Sequence, residues 1–227
     1  MVRCRFQSSI HFSGKVLSII TPDAQRSMFT CLGASTELEP NSITPDLFKD
    51  SGIALMEGYL LFNPALMMAC LKSAKKAGSM IAMDLASFEV VNASKEILNE
   101  IVTEYVDILI ANEDEAFAYT GFSDEIMAIK ALSQNVRIAV LKVGVRGSYV
   151  SFNGEIIQIN PITGAKAKDT TGAGDLWAAG FLFGIANGFS IEKSGEIGSA
   201  CGYEVCQVMG AQIPEDGWQR ILRLLAS

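Results

Sequence analysis

Four short, largely apolar runs most constrain what this chain of 227 residues can fold into. They lie at 53–60, 80–84, 107–111 and 137–143, and none alternates between polar and apolar residues. Continuous apolar runs of this length are typical of strands buried on both faces of a parallel sheet. Helical spacing fills the stretches between them, so we predict a three-layer α/β/α fold.

Capping and helix-ending residues place the other elements. Asn63 and Pro64 begin a helix that Gly78 ends, and Asn153-Gly154 marks a hairpin. The predicted helices are 64–77, 95–105, 123–133, 174–186 and 191–209, followed by a last amphipathic helix after Pro214, and the predicted hairpins are 14–34 and 148–159.

A glycine-rich loop, Lys168 to Asp175, leads directly into an apolar helix. Gly172 and Gly174 allow the backbone to turn where a side chain would clash. The first amides of a helix have no partner within it and lie at the positive end of its dipole, so the loop is a candidate anion site. A carboxylate at Asp175, beside a bound anion, could take a proton from a group that attacks it. The alternative is an ordinary helix start with a first-turn acid, because short glycine motifs often match by chance.

The pattern Asp-Thr-x-Gly-Ala-Gly-Asp, from Asp169 to Asp175, resembles the signature of the ribokinase-like (PfkB) family of sugar and nucleoside kinases. The resemblance implies a ribokinase-like fold with ATP and Mg²⁺ as cofactors. It implies that Asp175 is the catalytic base and that the amides of Gly172, Ala173 and Gly174 form an anion hole. It also implies a monovalent-cation site, for K⁺, near Asp169.

Four polar residues, Asn112-Glu113-Asp114-Glu115, follow the predicted strand at 107–111. Acids at a helix start are favourable on their own, so a capping role is one interpretation. The Asn-x-x-Glu spacing also resembles a second motif of the same family, which implies that Asn112 and Glu115 lie near the nucleotide phosphates and Mg²⁺. Glu115 would act through metal-bound water, which suits Mg²⁺ because this ion loses its water reluctantly.

A turn with the spacing Lys142-x-Gly144-x-x-Gly147 ends the next strand. Such a turn alone usually indicates only a tight reversal of the chain. Its position before the hairpin resembles the nucleotide-side turn of the family, which implies that Lys142, Gly144 and Gly147 contact the nucleotide.

Asp84 ends the predicted strand at 80–84, on the edge where open α/β sheets bind ligands. The residues that follow, Ala86-Ser87-Phe88, depart from the longer polar motif that relatives carry at this place. We therefore assign no role to Asp84.

The segments Thr21-Pro22-Asp23-Ala24-Gln25-Arg26 and Glu57-Gly58-Tyr59 resemble adenosine-kinase-like members of the family. This implies that Arg26 lies on the substrate side, whereas a solvent-facing arginine in a hairpin is the alternative. We predict a lid remnant with hinge strands at 1–36 and an α/β nucleotide-binding and phosphoryl-transfer domain at 37–227.

Composition limits the other classes. The net charge of −7 and the absence of a basic run argue against nucleic acid as a partner. No apolar run is long enough to span a membrane, and the first ten residues lack the apolar core of a signal peptide. Five scattered cysteines without zinc-site spacing indicate reduced thiols and a cytoplasmic protein. His11, the only histidine, is interpreted as a surface residue.

The resemblance runs from about Gly14 to Pro214, and members of the family are usually longer at the N-terminal side. We therefore expect an N-terminally truncated kinase that uses ATP to phosphorylate a hydroxymethyl group of a sugar or nucleoside, adenosine-like. The alternative is a non-catalytic nucleotide- or partner-binding remnant. A homodimer, or a separate chain that carries the missing part, would then cover the open edge of the sheet.

Overall fold

The computed structural model describes residues 10–226 of the chain. Within this range the strands form a two-stranded hairpin and a six-stranded sheet. The strands are β1 Lys15–Ile20, β2 Arg26–Cys31, β3 Ile53–Glu57, β4 Met80–Asp84, β5 Ile108–Asn112, β6 Ile138–Lys142, β7 Ser148–Phe152 and β8 Glu155–Ile159. The α-helices are α1 Pro64–Ala77, α2 Phe88–Tyr105, α3 Glu113–Thr120, α4 Glu125–Leu132, α5 Ala173–Ala186, α6 Ile191–Val205 and α7 Glu215–Ala226.

The six-stranded sheet has the order β3-β4-β5-β6-β7-β8. Strands β3 to β6 are parallel, and β7 and β8 continue the sheet antiparallel. Glu57 lies opposite Asp84, and Asn112 lies opposite Lys142. The carboxyl ends of four strands therefore meet along one edge of the sheet.

Helices cover both faces of this sheet, which confirms the predicted three layers. One core holds buried side chains of α1 to α4 packed on the sheet, including Met67, Leu98 and Ile129. The core on the other face is built around Trp177 and Phe181 of α5. Helix α7 packs outside α6 rather than on the sheet.

Local signals explain the elements that the sequence predicted well. Asn63 caps α1 by accepting a hydrogen bond from the Leu66 amide at 3.2 Å, and Gly78 ends this helix with a φ of 83°. Asn153 and Gly154, both with positive φ, form the turn between β7 and β8. Two consecutive residues in this conformation match the twist of a tight hairpin.

Two predicted bounds and one predicted burial pattern were wrong. Helix α2 begins at Phe88 rather than at residue 95, because the Ser87 side chain caps it and a non-helical residue, Ser94, kinks it between its two halves. Helix α6 ends at Val205, short of the predicted residue 209. Strand β3 is not buried on both faces, since it borders the described sheet and Leu55 is 42% exposed.

The β1–β2 hairpin at 15–31 confirms the predicted pair of strands. Nearly every residue of both strands is exposed, and neither strand pairs with the six-stranded sheet within residues 10–226. The domain boundary after residue 36 stays a prediction. Across the described helices, none combines the length and apolar character that a membrane span requires.

Small residues let α5 and α6 pack closely. A Cβ at Gly180 would lie 2.9 Å from the Ile197 carbonyl oxygen, and one at Gly184 would lie 2.7 Å from the Cα of Ser194. Both distances are shorter than normal contacts between heavy atoms, so these positions need glycine. The four-residue spacing of the two glycines therefore serves helix packing.

We expect Gly184→Ala to lower the free energy of unfolding by about 1–3 kcal/mol, because the added methyl group would overlap Ser194. Urea unfolding followed by circular dichroism measures this difference. The control Ala179→Ser, on the exposed side of the same helix, should stay within about 0.5 kcal/mol of the parent. Alanine is a better helix former than glycine, so without a steric overlap Gly184→Ala would stabilise the chain. A more stable variant would therefore contradict the packing argument.

Candidate functional site

Four side chains end the four parallel strands and lie along one edge of the sheet. Glu57, Asp84, Asn112 and Lys142 are the last residues of β3, β4, β5 and β6. The strand register places these ends side by side. Ligands of open α/β sheets bind at this edge, so we locate the candidate site here.

Helix α5 begins at the same edge, after the glycine-rich loop. Gly172 has a φ of 77°, and a Cβ on it would lie 2.8 Å from the Cβ of Ala211. The Ala173 amide already donates a hydrogen bond to the Thr170 carbonyl oxygen at 3.2 Å. The amides of Gly172 and Gly174 have no acceptor among residues 10–226. Two of the three amides of the predicted anion hole are thus available for a ligand.

Asp175 lies in the first turn of α5 and is exposed. Within the described part of the chain it takes part in no salt bridge. Its charge acts on Glu57, whose pKa is raised by burial and by the nearby carboxylates of Asp84 and Asp175. The predicted base therefore lies close enough to the strand ends for its charge to act on Glu57.

Lys142 connects the edge of the sheet to the start of α5. Its ammonium donates a hydrogen bond to Asp84 Oδ2 at 2.8 Å, and the two side chains are only 15% and 10% exposed. A Cβ at Gly174 would lie 3.3 Å from Lys142 Nζ. Asp84, to which we assigned no role from the sequence, is therefore part of the candidate site. Its position at a strand end was the available signal.

Asn112 and Glu115 form a reciprocal cap at the start of α3. The Glu115 amide donates to Asn112 Oδ1 at 2.9 Å, and the Asn112 amide donates to Glu115 Oε2 at 2.8 Å. Glu115 is 3% exposed, and its pKa is raised to about 7 by burial and by the Asp84 carboxylate, against the opposing effect of Lys142. The capping interpretation is confirmed, and the carboxyl group also lies within electrostatic reach of the candidate site.

The turn after β6 needs its glycines for the backbone. Gly144 and Gly147 both have positive φ, and a side chain on Gly147 would overlap the Ile159 carbonyl. Arg146 fixes the turn through ion pairs with Glu113 and Glu125. Contact of this turn with a nucleotide stays a prediction.

Asp169 fastens the glycine-rich loop from within. It is fully buried and accepts hydrogen bonds from the Thr171 amide and hydroxyl and from the Gly210 amide. Burial alone would raise the pKa of Asp169, but these hydrogen bonds and the charge of Arg26 outweigh it and lower the pKa. The carboxylate is thus used to hold the loop, and the K⁺ site stays a prediction.

Arg26 lies against the same loop. Its guanidinium donates to the Thr170 carbonyl oxygen at 3.2 Å, and the Thr170 hydroxyl donates to the Ala24 carbonyl oxygen at 3.0 Å. The turn of the β1–β2 hairpin is therefore joined to the loop that precedes α5. Whether Arg26 also contacts a substrate stays a prediction.

Other groups lie away from this edge. His11 is exposed and pairs with Glu37. A cavity of about 430 Å³ lies at the opposite, amino-terminal edge of the sheet and is lined in part by Lys75, Asp107 and Arg137. None of its lining residues begins a helix, so we place the candidate site at the carboxyl edge. Among residues 10–226, no three His, Cys, Asp or Glu side chains cluster to hold a metal ion.

The raised pKa of Glu115 predicts a dependence of stability on pH. Because the folded chain binds this proton more tightly than the unfolded chain, the stabilisation is complete below about pH 4.5 and is lost as the pH rises through about 7. Relative to a Glu115→Gln variant, the parent should lose about 1–3 kcal/mol between pH 5 and 8. Urea unfolding at both pH values tests this.

An exposed glutamate gives the matched control. Glu100→Gln, on the surface of α2, should differ from the parent by the same amount at pH 5 and pH 8. An equally constant difference for Glu115→Gln would show that the Glu115 carboxyl group titrates normally in the folded chain.

Comparison with known proteins identifies relatives of this chain in sequence and in fold. A ribokinase from Arabidopsis thaliana is 28% identical over 223 residues, which cover 94% of this chain and 57% of that protein. The structure of an adenosine kinase from Sinorhizobium meliloti is 30% identical, with a TM-score of 0.86, over 94% of this chain and 66% of that one. A probable sugar kinase from Rhizobium etli CFN 42 is 28% identical, with a TM-score of 0.87, over 92% of this chain and 65% of that one.

The chain thus spans less than two thirds of the length of each of these three proteins. The profile of the pfkB family carbohydrate kinases matches residues 4–217, nearly the whole sequence. The ribokinase-like fold expected from the loop at 169–175 is confirmed by these neighbours. The chain belongs to the pfkB family of carbohydrate kinases.

Proposed function

We propose that the protein transfers a phosphoryl group from ATP to a hydroxymethyl group of a sugar or nucleoside. The observation that carries this proposal is the open start of α5. There the unpaired amides of Gly172 and Gly174, the Lys142 ammonium and the exposed carboxylate of Asp175 lie together. Amides and a cation suit an anionic phosphoryl group, and a free carboxylate beside them suits a proton acceptor.

The residues present fit Mg²⁺ that is bound with a nucleotide and held through water, since no three acidic side chains among residues 10–226 cluster as direct ligands. Three carboxyl groups, those of Glu57, Asp84 and Glu115, share the edge with one ammonium group, and the pKa values of Glu57 and Glu115 are raised by burial and by Asp84. A divalent cation would relieve this excess of negative charge. Bound Mg²⁺ would neutralise part of the phosphate charge. Glu115 would hold the ion through water, with Asn112 beside it. The buried cap leaves Glu115 suited to such an indirect contact.

In this proposal each protein group has one task. Asp175 accepts the proton of the attacking hydroxyl group, a role that contributes about 10²–10⁴-fold in rate. The amides of Gly172 and Gly174 donate to the oxygens of the transferred phosphoryl group and stabilise the charge that develops there. The Ala173 amide is directed to Thr170, so we assign it a role in shaping the turn rather than in the anion hole.

The acceptor is proposed as a class of small molecule. The relatives reported above include a ribokinase and an adenosine kinase, which favours a sugar or nucleoside with a free hydroxymethyl group. The adenosine kinase structure has a TM-score of 0.86, in line with the similarity of the 21–26 segment to that branch. We therefore propose adenosine as the first acceptor to test.

A second function is favoured by one observation. The chain spans 57–66% of the three relatives reported, and the strands at 15–31 are exposed on both faces. A non-catalytic protein that binds a nucleotide or a partner, or a kinase completed by a second chain, would also fit this. Calorimetric titration with ATP–Mg²⁺, beside phosphotransfer assays with adenosine, ribose and fructose, separates the two. Binding without transfer to any acceptor favours the non-catalytic function.

Asp175→Asn should reduce kcat by at least about 10²-fold, because it removes the proton acceptor, while ATP binding stays within a few-fold of the parent. Coupled assays of ADP formation and calorimetry measure the two properties. The matched control is Asp46→Asn, which changes an exposed first-turn aspartate that is distant from Asp175 in the sequence. This variant should leave kcat unchanged. Turnover of Asp175→Asn at close to the parental rate would remove the basis of the proposed mechanism.

A further inference from the structure

The position of the Lys142 ammonium is unfavourable for a cation unless something holds it there. The group lies beside Gly174, in the first turn of α5, where the helix dipole favours negative charge. Its side chain is 15% exposed, so water compensates little. The Asp84 carboxylate, 2.8 Å away, supplies the counter-charge.

Asp84 is itself fixed by the turn that follows β4. Its Oδ1 atom accepts a hydrogen bond from the Ala86 amide at 3.0 Å, while Oδ2 accepts from Lys142. Ala86 has a φ of 68°, which is rarely adopted by a residue with a side chain. A Cβ on Gly58 would lie 2.5 Å from the Leu85 carbonyl oxygen, so the neighbouring strand end packs directly on this turn. The carboxylate therefore has one defined orientation.

Several other carboxylates could attract the same ammonium. Its charge acts on Glu57 of β3 and Glu115 of α3, and Asp175 is the residue that follows Gly174, beside which the ammonium lies. Glu115 is engaged by Asn112 through both of its oxygens. Asp175 is exposed, has no salt bridge among residues 10–226 and directly follows Gly174, so it is the competitor that matters. A salt bridge between Lys142 and Asp175 would lower the proton affinity of the proposed base and block the space above the helix start.

We propose that Asp84 is a positioning residue, which holds the Lys142 ammonium beside Gly174 and away from Asp175. This inference rests on the proposed function, in which Asp175 is the base. It explains how this base and the Lys142 ammonium remain separate within one small site. Asp175 stays free to accept a proton, and the ammonium stays directed towards the phosphoryl group. Asp84 acts only through Lys142.

The first test does not require activity. The pKa of Asp175 is measured by titration of its ¹³C-labelled carboxyl group, with Asp175→Asn used to assign the signal. Asp84→Asn should lower this pKa by about 1 unit or more when Lys142 is present, since the released ammonium then pairs with Asp175. In a Lys142→Met background, Asp84→Asn should lower the pKa of Asp175 clearly less, because only the loss of the Asp84 charge then acts on it. Equal shifts in both backgrounds would overturn the proposal.

The Lys142→Met variant gives a second test that needs no change at Asp84. If the ammonium is held on Asp84, its removal should raise the pKa of Asp175 by less than about 1 unit. A rise of about 1–3 units, typical of a lost direct ion pair, would show that Lys142 already pairs with Asp175 and would overturn the proposal. This test remains decisive if Asp84→Asn fails to fold.

Kinetics then connect the position of the lysine to catalysis. Asp84→Asn should lower kcat about 10-fold or more in the parent, but have little further effect in the Lys142→Met background, because Asp84 acts through the lysine. Multiplicative losses in the double variant would overturn the proposal. If the parent phosphorylates no acceptor, the proposed function fails, while the two titrations still decide the place of Lys142.

Discussion

Parallel pairing of β3 to β6 is the constraint on which the site depends. The pairing aligns the ends of four strands, so that Glu57, Asp84, Asn112 and Lys142 meet although they are far apart in sequence. Each of these residues ends a strand whose other residues are mostly apolar. Because helices bury both faces of β4, β5 and β6, the carboxyl edge is where this sheet brings charged and polar groups together. The grouping of these four residues follows from the sheet rather than from any single motif.

The loop before α5 is fastened from two directions, which keeps the helix start in place. Asp169 joins it to Gly210 beyond α6, and Thr170 joins it to Ala24 in the β1–β2 turn. Between these anchors, Gly172 takes a backbone conformation that a larger residue would adopt only with strain. A preformed loop of this kind reduces the ordering that a ligand would otherwise have to impose. The same contacts make the hairpin part of the support of the site.

The sequence predicted those features whose signals are local. The helix at 64–77 and the hairpin at 148–159 carry their own caps and turn residues, and the loop at 169–175 carries a specific motif. The ion pair between Asp84 and Lys142 joins residues 58 positions apart, and no local pattern indicates which carboxylate a lysine will select. The kink that joins the two halves of α2 was missed for a similar reason, since packing holds the helix together across a residue with non-helical geometry.

The distribution of unfavourable features favours catalysis over a purely structural role. Four residues other than glycine have positive φ within the described range, and two of them, Asp50 and Asn153, are of types that tolerate it better. The other two are alanines, Ala24 and Ala86, which gain no side-chain hydrogen bond in return. Ala24 accepts the hydrogen bonds of the loop before α5, and Ala86 orients Asp84.

Each such alanine costs on the order of 1 kcal/mol, and strain of this kind collects where function requires a fixed geometry. Burial of the Glu115 carboxyl group and placement of the Lys142 ammonium at a helix start also cost free energy. Both groups lie at the same edge of the sheet. A protein that used this fold only to bind a partner through its exposed hairpin would have no need to keep these costs together. Their concentration around the start of α5 is therefore an argument for the proposed catalytic role of this edge.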